Sequence, residues 1–196
     1  MTGLPTGVDN DAKALALGEH WRGAARGHDD FIAMVVSTGV GGGIILNGQL
    51  LEGRLGNAGH IGHVVVEPDG RLCPCGGYGC LEAEASGRAI AEMTGGRPTD
   101  APSAIVERTG TLVGRAVASV ANLLDLPLAV VAGSVALGFG RPFFASAQAE
   151  LSRRARLDFS RQATVVVAGL GSDGPLIGAA AVGWRLLDGV APGARR

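Results

Sequence analysis

The order of apolar and polar positions along the chain predicts alternating helices and strands. The segment 8–27 predicts a turn followed by a helix, with Asn10 or Asp11 at the N-cap position and apolar residues at i, i+3 and i+4 spacing. The apolar run 31–37 predicts a buried strand. The segment 44–53, "IILNGQLLEG", predicts a hairpin, because Asn-Gly between apolar runs is a strong turn signal.

The second half of the chain continues the same alternation. Its pattern predicts helices over 81–93, 103–125 and 141–156, a strand over 128–134, and a strand, Gly-rich turn and helix over 164–187. Strands that alternate with helices are typical of an α/β architecture.

Composition and charge narrow the classes of function. The chain has 196 residues, of which 46% are hydrophobic, and this is enough to form one core, or a core with a small subdomain. Its net charge is −1. The 17 basic residues are spread along the chain, so we expect neither nucleic acid nor a membrane surface as a partner. No apolar stretch is long enough to span a membrane and no signal pattern opens the sequence, so a cytoplasmic protein is expected.

Four glycines fall within five positions in "STGVGGGIILNG". This run is not a dinucleotide fingerprint, because Ile44 stands where the third glycine is required, and it lacks the Gly-Lys-Ser/Thr of a Walker loop. It predicts a turn between two strands, in which backbone N–H groups from Gly39 to Gly43 and the hydroxyls of Ser37 and Thr38 surround phosphate oxygens. A tight turn without a ligand fits the same residues.

All three cysteines lie close together and follow a histidine. His63, Cys73, Cys75 and Cys80 have the spacing His-x9-Cys-x-Cys-x4-Cys, with glycine and proline between the ligands. Three thiolates and an imidazole suit a closed, tetrahedral, structural zinc site. The alternatives are clustered reduced thiols, or a disulfide with one thiol left over.

An acid and an amide stand side by side at the start of the first predicted helix. Asp11 is placed to accept a proton from a substrate hydroxyl while Asn10 holds a neighbouring one. Both residues are also ordinary helix caps, so the pair alone does not define a catalytic site.

Taken together, these motifs resemble one family. The segment from "STGVGGGIILNGQ" through "GNAGHIGH" to "CPCGGYGCLEA", with "DNDAKA" before it and "GPLIGAAAVGW" after it, resembles the ROK family of sugar kinases and sugar-responsive repressors. The resemblance implies the actin-like, hexokinase-like ATPase fold, which is ribonuclease H-like, with a zinc-clamped loop.

The resemblance also implies roles for individual residues. Asp11 would be the catalytic base, and the sugar would contact Asn10, His60, His63 and Glu82. MgATP would be the phosphate donor, its phosphates held by the second phosphate loop, formed by Thr38, Gly39, Gly41 and Gly42. The adenosine would be bracketed by the turns at Gly133, Ser134, Gly169 and Gly171, and structural Zn²⁺ would be held by His63, Cys73, Cys75 and Cys80.

Two positions depart from the common pattern of the family. Many glucokinase-like members have Glu where this chain has His60, and the form "GHIGH" with "VVAGSVALG" looks more like bacterial N-acetylmannosamine kinases. Lys13 stands at a position that is often Asn or Gln. The expected reaction is ATP-dependent phosphorylation of the 6-hydroxyl of a hexose or N-acetylhexosamine; glucokinase and a non-catalytic sugar-sensing domain are the alternatives.

The resemblance covers one lobe of the family fold. Residues 1–196 would form the C-terminal lobe, with the phosphate loop, hairpin and zinc knuckle in 31–82 and the adenosine side in 125–190. Residues 1–30 contain no Asp-x-Gly-Gly-Thr phosphate loop, so the N-terminal lobe is expected to lie outside this chain and the isolated lobe to be slow or inactive. A homodimer is expected from the same resemblance.

Overall fold

A computed structural model describes residues 6–188 as a five-stranded sheet with helices on both faces. Residues 1–5 and 189–196 lie outside this described part, including the end of the predicted adenosine-side region. The elements are α1 Asp11–Arg22, β1 Phe31–Val36, β2 Val40–Leu46, β3 Gln49–Leu50, α2 Leu81–Ala85, α3 Gly87–Thr94, α4 Ser103–Leu124, β4 Leu128–Ala132, α5 Ser134–Arg154, β5 Thr164–Val167 and α6 Gly174–Asp188.

The strand order is β3-β2-β1-β4-β5. β1 pairs antiparallel with β2, which pairs antiparallel with β3, whereas β1, β4 and β5 are mutually parallel neighbours. The carboxyl ends of the three parallel strands therefore meet at one edge of the sheet, which is where α/β proteins bind ligands. The mixed sheet confirms the predicted α/β class.

Alternate residues of β1 enter different cores, as expected for a strand covered on both faces. Phe31 and Ala33 pack in a core with α1 and α6. Ile32 and Met34 pack in a larger core with α4 and α5. Among the described residues, no helix is both long and apolar enough to cross a membrane.

The glycine run is part of a strand, and this corrects the predicted turn. The turn is confined to Ser37–Gly39, whereas residues 41–43 belong to β2 and pair with β1. A Cβ on Gly43 would lie 2.8 Å from the Cα of Lys13. A Cβ on Gly42 would lie 2.9 Å from the carbonyl oxygen of Gly59. The missing side chains let α1 and the 59–61 segment pack directly on the two faces of β2.

Most predicted elements are confirmed, but three boundaries differ. The predicted helix 81–93 is two helices, because the backbone of Ser86 is extended and its hydroxyl accepts a hydrogen bond from the N–H of Ala89 at the start of α3. The strand predicted over 128–134 ends at 132, and α5 begins at Ser134 rather than at 141. α5 bends at Gly140, where φ is 59°.

Candidate functional site

A polar cavity of about 540 Å³ opens beside the edge where the parallel strands end, and is here called the sugar cavity after the contacts that the family resemblance implies. It brings together predicted residues from four separate segments of the chain. Its lining includes Asn10, Asp11, Lys13, Ser37, Thr38, Gly39, Gly41, Gly42, His60, His63 and Glu82.

The first helix places Asn10 and Asp11 at the cavity wall. The side-chain oxygen of Asn10 accepts hydrogen bonds from the N–H groups of Ala12 (2.9 Å) and Lys13 (3.3 Å), so it caps α1 as predicted. Asp11 is the first residue of the helix and is exposed, and one of its oxygens accepts from the N–H of Ala12 at 2.8 Å. Capping thus fixes the helix start and leaves the carboxylate of Asp11 facing solvent at the cavity.

The turn after β1 is hydrogen-bonded to residues of α2 and α3. A carboxylate oxygen of Glu82 accepts a hydrogen bond from the N–H of Val40 at 2.9 Å, and the carbonyl of Ser37 accepts one from the N–H of Gly87 at 2.7 Å. A Cβ on Gly39 would lie 2.9 Å from the same Glu82 oxygen. Glu82 therefore positions the predicted phosphate loop as well as lining the sugar cavity, a role that the sequence did not reveal.

Two histidines link the sugar cavity to the cysteine cluster. The rings of His60 and His63 are nearly parallel, with centroids 6.2 Å apart. The Nδ1 atom of His63 lies 3.7 Å from the sulfur of Cys73. His63 thus lines the sugar cavity and also lies beside the cysteines.

The candidate metal centre consists of His63, Cys73, Cys75 and Cys80, whose ligand atoms all lie within 4.8 Å of one another. The sulfurs of Cys75 and Cys80 are 3.7 Å apart. A tetrahedron with Zn–S bonds of about 2.3 Å has edges of about 3.8 Å, so the donor set and its spacing fit zinc. This separation is far longer than a disulfide bond of about 2.05 Å, and all three cysteines are free.

The surrounding protein affects both the thiols of the cluster and the loop that carries them. Burial, and then the neighbouring thiols of Cys75 and Cys73, raise the pKa of the Cys80 thiol to about 12. The buried carboxylate of Glu84 accepts hydrogen bonds from the backbone N–H of Arg71 at 2.5 Å and the guanidinium of Arg108 at 2.6 Å. Glu84 therefore ties the cysteine loop to α4.

A second, mainly apolar cavity of about 770 Å³ lies at the carboxyl ends of β1, β4 and β5 and is here called the edge cavity. Its lining includes Asp11, Val35, Ala132, Gly133, Ser134, Leu137, Ala168, Gly171 and Pro175. Asp11 and Val35 also line the sugar cavity, so the two cavities share a wall. The backbone of Gly133 has φ 101°, and a Cβ there would lie 2.3 Å from the carbonyl oxygen of Val36.

Three of the four predicted adenosine residues, Gly133, Ser134 and Gly171, line the edge cavity. Gly169 is not part of this lining, but its N–H donates at 3.0 Å to the carboxylate of Glu19, which does line the edge cavity. A third cavity of about 550 Å³ adjoins Ser134 on its other side. It is lined by residues that the sequence analysis missed, among them Arg88, Arg97 and Phe139.

This sheet, with its ligand cleft at the carboxyl ends of the parallel strands, defines the class as the actin-like, hexokinase-like ATPase fold. Within that class, the sequence profile of the ROK family matches residues 1–184, and the chain belongs to this family.

Known proteins of the family include both kinases and regulators. The N-acetylmannosamine kinase of Citrobacter koseri is 40% identical over 155 residues, which are 71% of this chain and 53% of that protein. A ROK family glucokinase from Streptomyces griseus, solved with glucose and AMPPNP, has a TM-score of 0.79 and 33% identity over 91% of this chain and 68% of its own. A ROK family transcriptional regulator, homologous to the E. coli MLC protein, has a TM-score of 0.82 and 28% identity over 96% of this chain and 54% of its own. The chain spans about half the length of the curated relatives it matches.

Proposed function

We propose that this chain carries the site of an ATP-dependent sugar kinase that phosphorylates the 6-hydroxyl of a hexose or N-acetylhexosamine. The observation that supports this most directly is the place of Asp11 on the wall shared by the sugar cavity and the edge cavity. A base at that point can contact the acceptor hydroxyl in the sugar cavity and also borders the edge cavity, from which the phosphoryl group would arrive.

Phosphoryl transfer depends mainly on positioning and on neutralising charge. Asp11 accepts the proton of the 6-hydroxyl as the hydroxyl oxygen attacks the γ-phosphorus, and the bond from that phosphorus to the bridging oxygen of the β-phosphate breaks to release ADP. Neighbouring sugar hydroxyls are held by Asn10, His60 and Glu82. Because the oxygen of Asn10 is engaged in capping, its amide nitrogen is the group offered to the sugar.

The phosphates of ATP would lie over the Thr38–Gly39 turn, which lines the sugar cavity. The adenosine would rest against Gly133 and Ser134, where the edge cavity and the third cavity adjoin. The hydroxyls of Ser37 and Ser134 are 2.9 Å apart and join these two regions. Mg²⁺ bound with the phosphates supplies the charge neutralisation.

The proposed sugar is an N-acylated hexosamine, N-acetylmannosamine in the first instance. His60 lines the cavity, and the relative named N-acetylmannosamine kinase matches most of the chain. Glucose is the alternative, because the Streptomyces griseus relative is named a glucokinase.

The test is ADP release with MgATP and N-acetylmannosamine, N-acetylglucosamine, glucose or no sugar. Asp11→Asn is expected to lower turnover by about 100-fold or more, while the sugar dissociation constant, measured by calorimetry, stays within about 3-fold. Asp158→Asn, which alters an exposed carboxylate in the loop between α5 and β5, is the matched control. Undiminished turnover in Asp11→Asn would overturn the assignment of the base.

A second candidate function is sugar sensing without catalysis. The structural match to the transcriptional regulator, with a TM-score of 0.82, favours it. Sugar binding with no ADP release at any sugar or ATP concentration, measured in a two-lobed protein that includes this chain, would support sensing over the kinase.

A further inference from the structure

Four charged side chains form a closed ring beside the sugar cavity. Lys13 and Arg185 both contact the carboxylate of Glu52, one at each oxygen. Asp9 closes the ring, with its oxygens 3.5 Å from the ammonium of Lys13 and 3.7 Å from the guanidinium of Arg185. This charge ring joins the segment before α1, α1 itself, the loop after β3 and α6.

Lys13 is the buried member of the charge ring. Its side chain is 3% exposed, whereas that of Glu52 is 41% exposed. An ammonium group removed from water requires charged or polar partners, and loss of a partner is strongly unfavourable. Besides the carboxylates of Asp9 and Glu52, the ammonium donates to the carbonyl of Gly56 at 3.1 Å. Two of these three partners belong to the loop after β3.

Apart from Lys13, the contacts described for this loop, residues 52–58, are the ion pair of Glu52 with Arg185 and hydrogen bonds within the loop backbone. Its own closure is a hydrogen bond from the N–H of Ala58 to the carbonyl of Glu52 at 3.0 Å. Gly53 and Gly56 have positive φ, and residues 53–57 are exposed. The loop leads directly into Ala58 and His60, which line the sugar cavity.

We propose that Lys13 is a positioning residue, which holds the 52–58 loop against α1 and thereby sets the place of His60 at the wall of the sugar cavity. If the loop opened, the buried ammonium would keep only Asp9 as a partner, so the closed loop is strongly preferred. Burial alone would raise the pKa of Glu52, but hydrogen bonds from Lys13 and Arg185 lower it overall. The loop therefore remains tied to two cations at neutral pH.

Lys13→Met tests this, because methionine keeps an unbranched stem in the same space and removes the charge. Hydrogen exchange followed by mass spectrometry is expected to speed up about 5-fold or more for amides in 53–59, with α4 unchanged. Glu52→Gln, at the exposed end of the pair, is expected to act in the same direction and provides the test should Lys13→Met not fold. Unchanged exchange of 53–59 in Glu52→Gln and in folded Lys13→Met would overturn the proposal.

Val120→Ala, in the core on the opposite face of the sheet, is the matched control for general destabilisation. It is expected to lower the melting temperature without changing exchange in 53–59. Any comparable acceleration of 53–59 in this control would assign the effect to global loosening and contradict the proposal.

The effect on sugar rests on the proposed function. Lys13→Met is expected to weaken sugar binding, or to raise the sugar KM, about 5-fold to 10-fold with kcat little changed. If the wild-type chain binds no sugar of the panel, the proposed function fails while the exchange experiment still decides whether Lys13 holds the loop. Faster loop exchange with unaltered sugar binding would show that the loop does not position the site.

Discussion

At the scale of single residues, the most unusual environment is that of His20. It is fully buried in α1, and neither ring nitrogen has a hydrogen-bond partner within the described part of the chain. The carboxylate of Asp29 lies 3.8 Å from Nε2, which is beyond hydrogen-bond range. Burial lowers the pKa of His20 below its ordinary value, and Asp29 offsets this only in part.

This environment predicts a loss of stability in mild acid. The unfolded chain binds a proton at His20 more readily than the folded chain does, so the free energy of unfolding falls as the pH drops below about 6.5. His20→Leu is expected to reduce the difference in the free energy of unfolding between pH 7.5 and pH 5.5. Urea unfolding at the two pH values measures it, and equal pH dependence in both proteins would contradict it.

At the scale of elements, the loop from His63 to Cys80 has almost no regular secondary structure of its own. For this loop and the residues just before it, the structure describes a short 3-10 turn at Ile61–His63 and two isolated β-bridges, Val65 to Cys80 and Leu72 to Tyr78. Backbone turns such as the N–H of Cys73 to the carbonyl of Gly77 at 2.7 Å shape the knuckle. We therefore expect bound zinc to contribute much of the order of this loop.

The metal prediction is that the purified chain contains roughly one zinc per molecule. Cys75→Ser removes an exposed ligand without opening the core, and it is expected to lose the metal and to speed up hydrogen exchange across 64–80. Pro74→Ala, at the neighbouring exposed position, should keep its zinc. Elemental analysis decides, and full zinc occupancy in Cys75→Ser would sink the ligand assignment.

Local signals predicted most elements of the fold, and long-range packing explains the rest. The hairpin at Asn47–Gly48 forms where expected, with φ of 50° and 71°, because its determinant lies in two adjacent residues. The strand character of residues 41–43 could not be predicted, because it depends on α1 and the 59–61 segment packing against them. The helix cap at Ser86 could not be predicted, because the residues on both sides of it follow a pattern typical of one continuous helix, which the extended backbone at Ser86 interrupts.

The candidate site was predictable to the extent that its motifs are short. The cysteine spacing placed four ligands within reach of one another, and they lie together. The contact of Lys13 with Glu52 joins residues 39 positions apart, and that of Glu19 with Leu170 spans 151 positions. Neither contact leaves a local pattern in the sequence.

At the scale of the whole molecule, one buried carboxylate joins the two ends of the fold. Glu19 of α1 accepts hydrogen bonds from the N–H groups of Ala24, Gly169 and Leu170, at 2.7, 3.0 and 3.1 Å. These contacts hold the turn after β5 against the end of α1. The position of α6, which follows that turn and packs on α1, therefore depends on a side chain near the start of the chain.

Glu19→Ala is expected to lower the free energy of unfolding by about 3 kcal/mol, because three N–H groups lose a buried carboxylate as their acceptor. Glu107→Ala, at an exposed position of α4, should change it by less than about 0.5 kcal/mol. Chemical denaturation measures both. A loss in Glu19→Ala no larger than in the control would contradict the role given to Glu19.

The wall that the sugar cavity and the edge cavity share at Asp11 and Val35 also matters for inhibitor design. Because Asp11 and Val35 line both cavities, the proposed function predicts that a hexosamine linked to an adenosine by a short spacer can occupy both at once. Such a bisubstrate compound gains from the high effective concentration of its second half once the first is bound. Its spacer would pass beside Asp11, so a positively charged group in the spacer would complement the carboxylate there.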